Sequence, residues 1–144
     1  MAHVNVSKQL AAGQQTVWAA LTSPLRYEEW LTLHTKWKEE PPAEVTEGSR
    51  MTEVLTIMGM ANTITWNTDS YDAPNSMSIS GTGMAGAKLT LTMSVAAQDD
   101  STSVATIEAD FVSQMMVGAI GGAIERATTS ELVASLENFS TLLA

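Results

Sequence analysis

A change of hydrophobic period near residue 113 limits what this chain can fold into more than any other feature. Upstream, apolar side chains recur at every second position in one segment after another. Downstream they recur at every third and fourth. A period of two puts alternate residues on opposite faces of a strand, and a period near 3.6 gathers them on one stripe of a helix. The chain is therefore expected to build a sheet first and to cover it afterwards.

The strands can be read one by one. Val4, Val6 and Leu10 alternate with Asn5, Ser7 and Gln9, the pattern of a half-buried strand. Gly13 ends it, and the residues from Thr16 to Leu21 form a helical turn or two. Ser23-Pro24 is a capping residue followed by proline at a first helical position. A second short helix carrying Leu25, Tyr27, Trp30 and Leu31 is expected there. From His34 to Glu47 the chain holds Pro41-Pro42 and four glutamates, and it reads as an exposed connection. Strands follow from Met51 to Met58, from Ile64 towards Tyr71, and around Met77 and Ile79, which alternate with serines. In the next, Leu89, Leu91, Met93 and Val95 oppose Lys88, Thr90, Thr92 and Ser94. In the last, Ala105, Ile107, Ala109 and Phe111 oppose Thr106, Glu108 and Asp110. Such alternation marks an antiparallel sheet with one covered face.

The cover is the C-terminal stripe of Ile124, Thr128, Leu132, Leu136, Phe139 and Leu143. Starting as early as Val117, that helix would be about 38 Å long at 1.5 Å per residue, although Gly118, Gly121 and Gly122 weaken its first turn. The expected fold is α+β: a curved antiparallel sheet of six to seven strands around a long C-terminal helix, with two short helices after the first strand. The 144 residues form one domain, 1–144. Because sheets twist, a sheet curled around one helix should enclose more space than the helix stripe fills.

Composition removes whole classes of function. With no cysteine, disulfide frameworks, thiolate metal sites and cysteine nucleophiles are excluded. No apolar run approaches membrane-spanning length, and the first residues lack the layout of a signal peptide, so a cytoplasmic protein is expected. Seven Lys and Arg against sixteen Asp and Glu give a net charge of −9. Nucleic acid and stable membrane association are poor prospects on that balance. Two histidines without ligand spacing predict no metal. The run Gly81-Thr82-Gly83-Met84-Ala85-Gly86 satisfies a dinucleotide fingerprint literally, but a strand follows it rather than a helix. It reads as a hairpin, and no cofactor is expected.

Nine methionines suggest an interior that adapts to irregular apolar shapes, although methionine also fills gaps in ordinary cores. Met51, Leu55, Met77, Met93, Phe111, Met116, Ile120 and Ile124 are the expected apolar wall. Trp30, His34 and Trp37 are spaced by four and three, so a continued helix or turn would bring them together at a pocket rim, with Trp66 also orienting a ligand. The alternative is that Trp30 packs on the sheet and His34 is a satisfied residue at a helix end. For acid–base chemistry, His34, Glu53, Tyr71, Glu108, Asp110 and Glu131 are available. Glu108 and Asp110 share the polar strand face, which leaves His34 and Glu131 as the catalytic candidates.

The run Arg26-Tyr27-Glu28-Glu29-Trp30-Leu31-Thr32-Leu33-His34, followed by Trp37 and preceded by Val17-Trp18, resembles the START-like polyketide cyclase/dehydrase and lipid-transport (SRPBCC) superfamily. The likeness continues through Gly48, the strand block and the terminal helix. It is similar in particular to an actinobacterial subgroup that includes the toxin of a toxin–antitoxin pair. The resemblance implies a helix-grip (START/Bet v 1-like) fold with a deep hydrophobic cavity. The expected function is binding of a small hydrophobic or amphipathic ligand. The alternatives are a cyclase or dehydratase acting in the same cavity, and a toxin with an antitoxin partner. Oligomeric state is open, a homodimer included.

Overall fold

The computed structural model describes residues 2–83, 86–113 and 119–143. Seven strands form one antiparallel sheet: β1 (Ala2–Leu10), β2 (His34–Trp37), β3 (Arg50–Ile57), β4 (Met60–Asp72), β5 (Ser76–Thr82), β6 (Lys88–Ala97) and β7 (Ser103–Val112). Their spatial order is β1-β7-β6-β5-β4-β3-β2. Helix α1 (Gln14–Leu21), a 3-10 turn (Pro24–Arg26) and the four-residue α2 (Tyr27–Trp30) separate β1 from β2. The long helix α3 (Ala119–Leu143) closes the chain. This is the sheet around a terminal helix expected from the period change, and the helix-grip arrangement that the resemblance implied. Val117 and Gly118, where the helix was expected to begin, lie outside the described residues, as do Met84, Met115 and Met116.

The expected parity holds along the sheet. Val4, Val6, Met93, Val95, Ala105, Ile107, Ala109 and Phe111 are buried, while their sequence neighbours face outward or are half-exposed. Tight turns keep that parity in register. Met58 and Gly59 both have positive φ, 54° and 77°, and they join the paired residues Ile57 and Met60 as a two-residue hairpin of the kind whose twist matches the strands. At Gly81, a Cβ would stand 2.6 Å from the carbonyl oxygen of Thr65 on β4. The glycine-rich run therefore serves close strand contact, and the Gly83 N–H donates to Ala87 at 2.8 Å to close the β5–β6 hairpin.

One expectation is corrected. The segment beginning at His34 is not wholly an exposed connection, because its first four residues form β2 against β3. Residues three apart on a strand should face opposite ways. A bulge between His34 and Lys36 inserts one residue, so His34 and Trp37 both turn inward while Thr35 and Lys36 face out.

On α3, Thr128, Leu132, Ser135, Leu136 and Phe139 are buried and Ile124 is half-buried. Hydrogen bonds fasten the helix to the segment after α2. The Thr32 N–H donates to Ser135 Oγ at 2.9 Å and the Thr32 hydroxyl to the Glu131 carbonyl at 3.0 Å, while within the helix Ser135 Oγ donates to that same carbonyl at 2.7 Å. Helix side chains also reach the free edge of β1, where Lys8 pairs with Glu137 at 2.9 Å and the His3 N–H donates to Glu125 at 3.3 Å.

Candidate functional site

On β3, Met51, Glu53 and Leu55 share one parity and all three are buried. A carboxyl group between two apolar positions of an inward strand face loses its water and must find donors inside the protein. Glu53 has two. Trp66 on β4 donates its indole N–H to Glu53 Oε1 at 2.8 Å, and His34 Nδ1 lies in close hydrogen-bond contact with Oε2. Strand register sets this up. Glu53 pairs with Ile64, which places Trp66 diagonally opposite on the same face, and Trp37 pairs with Glu53 on the other side. Although the His34 backbone is partly exposed, its side chain is only 3% exposed and that of Glu53 2%.

An aromatic cluster backs the pair. The Tyr27 ring lies 5.8 Å from Trp30, 6.0 Å from His34 and 5.6 Å from Trp37, centroid to centroid. His34 and Trp37 are 5.1 Å apart, and Trp30 packs edge-on against Phe139 of α3 at 5.1 Å. Trp37 donates to the carbonyl of Pro24 at 3.0 Å. Two polar atoms of this cluster are buried without a protein partner: the Tyr27 hydroxyl and the Trp30 indole N–H. Burial, reinforced by the nearby Glu53 carboxylate, pushes the Tyr27 hydroxyl far above the ordinary phenol range. It stays protonated and can donate.

Among the described residues, a small and partly open void of about 20 Å³ lies between sheet and helix, room for roughly one water. Leu31 and Leu33 line one side, Glu53, Leu55, Trp66, Leu89, Thr90, Leu91, Ala109 and Phe111 the sheet, and Leu132 the helix. Trp30, Trp66, Tyr27, Phe139, Met77 and Met93 are fully buried in the core.

The expected site residues divide accordingly. Leu55, Trp66 and Phe111 line the void. Met51, Met77 and Met93 are buried core, and Ile124 is half-buried. Ile120 was expected in the wall but is 55% exposed, on a part of the helix surface that the 3.6-residue period turns away from Leu132. Met116 lies outside the described residues. Trp30, His34 and Trp37 do come together, but as a buried cluster bridged by Tyr27 and not as a rim on a continued helix, because α2 ends at Trp30. Glu131 is half-exposed and serves the fold through its carbonyl oxygen. Among the described residues, no group of three or more His, Asp or Glu could hold a metal. Glu53 and Tyr27 were missing from the expected wall. The signal for Glu53 was present, since it shares the parity of Met51 and Leu55.

Comparison with known proteins gives a consistent set. The family described as "Polyketide cyclase / dehydrase and lipid transport" matches residues 1–144. A Mycobacterium tuberculosis protein named as a toxin is 28% identical over 144 residues, covering 100% of this chain and 99% of its own. Another from the same organism, described as uncharacterized, is 28% identical over 142 residues, 99% of both chains. Among solved structures, the Zhui aromatase/cyclase from Streptomyces sp. R1128 superposes with a TM-score of 0.77 at 19% identity, covering 96% of this chain and 91% of that one. A START superfamily protein from Mycobacterium smegmatis has the same TM-score at 15% identity, with 99% of both chains covered.

Proposed function

We propose that this chain, which belongs to the polyketide cyclase/dehydrase and lipid-transport family, binds a small hydrophobic or amphipathic molecule between its sheet and α3, with Glu53 and Trp66 as the polar point of an apolar wall. The observation that carries the reading is the buried Glu53–Trp66–His34 network set at the edge of an apolar void. A protein that needed only a stable core gains little from such a network, because well-packed apolar residues of similar volume are often as stabilising. A ligand larger than water enters by displacing side chains. Met51, Met77 and Met93 in the surrounding core have the rotamer freedom to repack. Burial of about 300 Å² of ligand at roughly 25 cal/mol/Å² supplies several kcal/mol before ordering costs, so micromolar affinity is expected. Native mass spectrometry of freshly purified protein, with thermal shifts across a panel of apolar lipids and aromatics, tests this. Apo protein alone and no shift with any compound would end it.

A second reading is favoured by the His34–Glu53 contact. A carboxylate that holds one imidazole nitrogen fixes the orientation of the ring and leaves the other nitrogen for proton transfer. That arrangement would suit cyclisation or dehydration of a polyketide-like substrate, in line with the aromatase/cyclase whose fold this chain shares. Replacing His34 by alanine would then abolish turnover while ligand binding survives. The relatives named as toxins support a third use, with an antitoxin partner in the cytoplasm. Growth arrest on expression, relieved by the product of a small adjacent reading frame, is its test. No helix among the described residues is long and apolar enough to cross a membrane.

A further inference from the structure

Resting on the ligand-binding reading above, we infer that the bound molecule meets Glu53 with a hydroxyl or N–H donor, and that a group able only to accept, such as an ether or ketone oxygen, gains nothing in this void. The polar members of the wall decide the matter, and they are few. Of the eleven described residues that line it, eight are Leu, Ala or Phe, and the others are Glu53, Trp66 and Thr90. Thr90 alternates along β6 with Leu89 and Leu91, so its hydroxyl belongs to the opposite face of the sheet. There it borders a polar groove with Ser80, Thr82 and Lys88. Trp66 has a single polar hydrogen, and Glu53 Oε1 already takes it at 2.8 Å. Among the described residues, the wall therefore offers no free donor.

Acceptor capacity is what the wall does offer. A carboxylate has about four lone-pair sites, and the protein occupies two of them, through Trp66 and His34. Glu53 and Trp66 both line the void, so their hydrogen bond lies at the wall and not behind it. These facts act in opposite directions on a ligand. An ether or ketone oxygen that enters is stripped of water and finds no donor to replace it, which costs free energy. A hydroxyl or N–H finds a charged acceptor, the stronger class of hydrogen bond.

2-Methylnaphthalene, 2-methoxynaphthalene and 2-naphthol share one apolar body and carry, in turn, no polar atom, an acceptor alone, and a donor. Titration calorimetry at neutral pH, where the naphthol is un-ionised, should find 2-naphthol about tenfold tighter than 2-methylnaphthalene, the equivalent of one buried hydrogen bond to a carboxylate. 2-Methoxynaphthalene should bind no tighter than 2-methylnaphthalene. In proton–nitrogen spectra the Trp66 indole resonance should move further with 2-naphthol than with the other two, because its acceptor is then shared. Glu53→Gln places an amide donor on the same wall. In that variant, shown to be folded by circular dichroism, the naphthol advantage should shrink and 2-methoxynaphthalene should gain on 2-methylnaphthalene. In the wild-type protein alone, 2-methoxynaphthalene binding as tightly as 2-naphthol, or 2-naphthol binding no tighter than 2-methylnaphthalene, would overturn the inference while the cavity reading stands. So would a naphthol advantage undiminished in Glu53→Gln. Failure of all three compounds to bind would overturn both.

Discussion

Two histidine–carboxylate pairs with nearly the same covalent chemistry sit in opposite surroundings in this protein. His3 meets Asp110 across β1 and β7 at 2.6 Å with side chains 51% and 36% exposed. His34 meets Glu53 across β2 and β3 with side chains 3% and 2% exposed. At the surface, water and salt screen the attraction and can replace either partner, so such pairs contribute little. In the interior neither partner can be replaced by solvent, and removing one strands the other. The difference lies in the cost of breaking the contact, more than in its strength.

The comparison is broken most severely at Glu53. Glu53→Ala leaves the Trp66 N–H and the His34 ring without their acceptor, and denaturant unfolding should show a loss of about 3–5 kcal/mol. Glu53→Gln keeps an acceptor for Trp66 and should lose clearly less. Equal losses in the two variants would mean that packing volume, and not hydrogen bonding, holds this site together. Next in size is Trp66→Phe, which removes one donor and some apolar bulk while keeping the ring. About 1–3 kcal/mol is expected from leaving the carboxyl group underbonded, read from the same unfolding curves.

A smaller effect belongs to Tyr27. Its hydroxyl ionises in the unfolded chain near pH 10 and resists ionisation in the folded one. The folded state therefore keeps its full advantage below about pH 10 and loses stability as pH rises above that. Alkaline titration followed at the phenolate absorbance should show Tyr27 ionising only as the chain unfolds. Tyr27→Phe should flatten the fall in stability above that pH, and an unchanged slope would place the hydroxyl in contact with water.

The exposed pair should give the least. Asp110, through its hydrogen bond and its charge, raises the His3 pKa above its ordinary value. Any stabilisation is present below the unfolded value of about 6.5 and disappears as pH climbs through the raised folded one. Proton NMR should report that raised value, and Asp110→Asn should return it towards normal. The melting temperature should barely move in either His3→Ala or Asp110→Asn, and a large drop there would undo the contrast on which this ranking rests.

Much of the frame was readable along the chain because strand parity and helix period are local. Val4, Met93, Ile107 and Leu132 each sit on the side that their neighbours dictate. The failures cluster where one residue changes the parity. At β2 a single bulged position brought His34 and Trp37 to the same face, which no count of spacings distinguishes from a helical turn. Ile120 failed for a different reason: it lies on a part of the α3 surface that the helical period turns away from Leu132. Glu53 had the correct parity in plain view, but a charged residue at an inward position reads as an interruption until its donors are known.

The amino-acid order alone therefore settled the sheet, its polarity, the terminal helix and the exclusion of thiol chemistry, since each follows from side-chain type at short range. Only the folded chain decided which carboxyl group would be buried, which donors would serve it, and which of the described side chains line the space between helix and sheet. Those depend on residues brought together from β2, β3, β4 and α3. Hydrogen bonds and packed volume act over a few ångströms of space, whatever the separation along the chain.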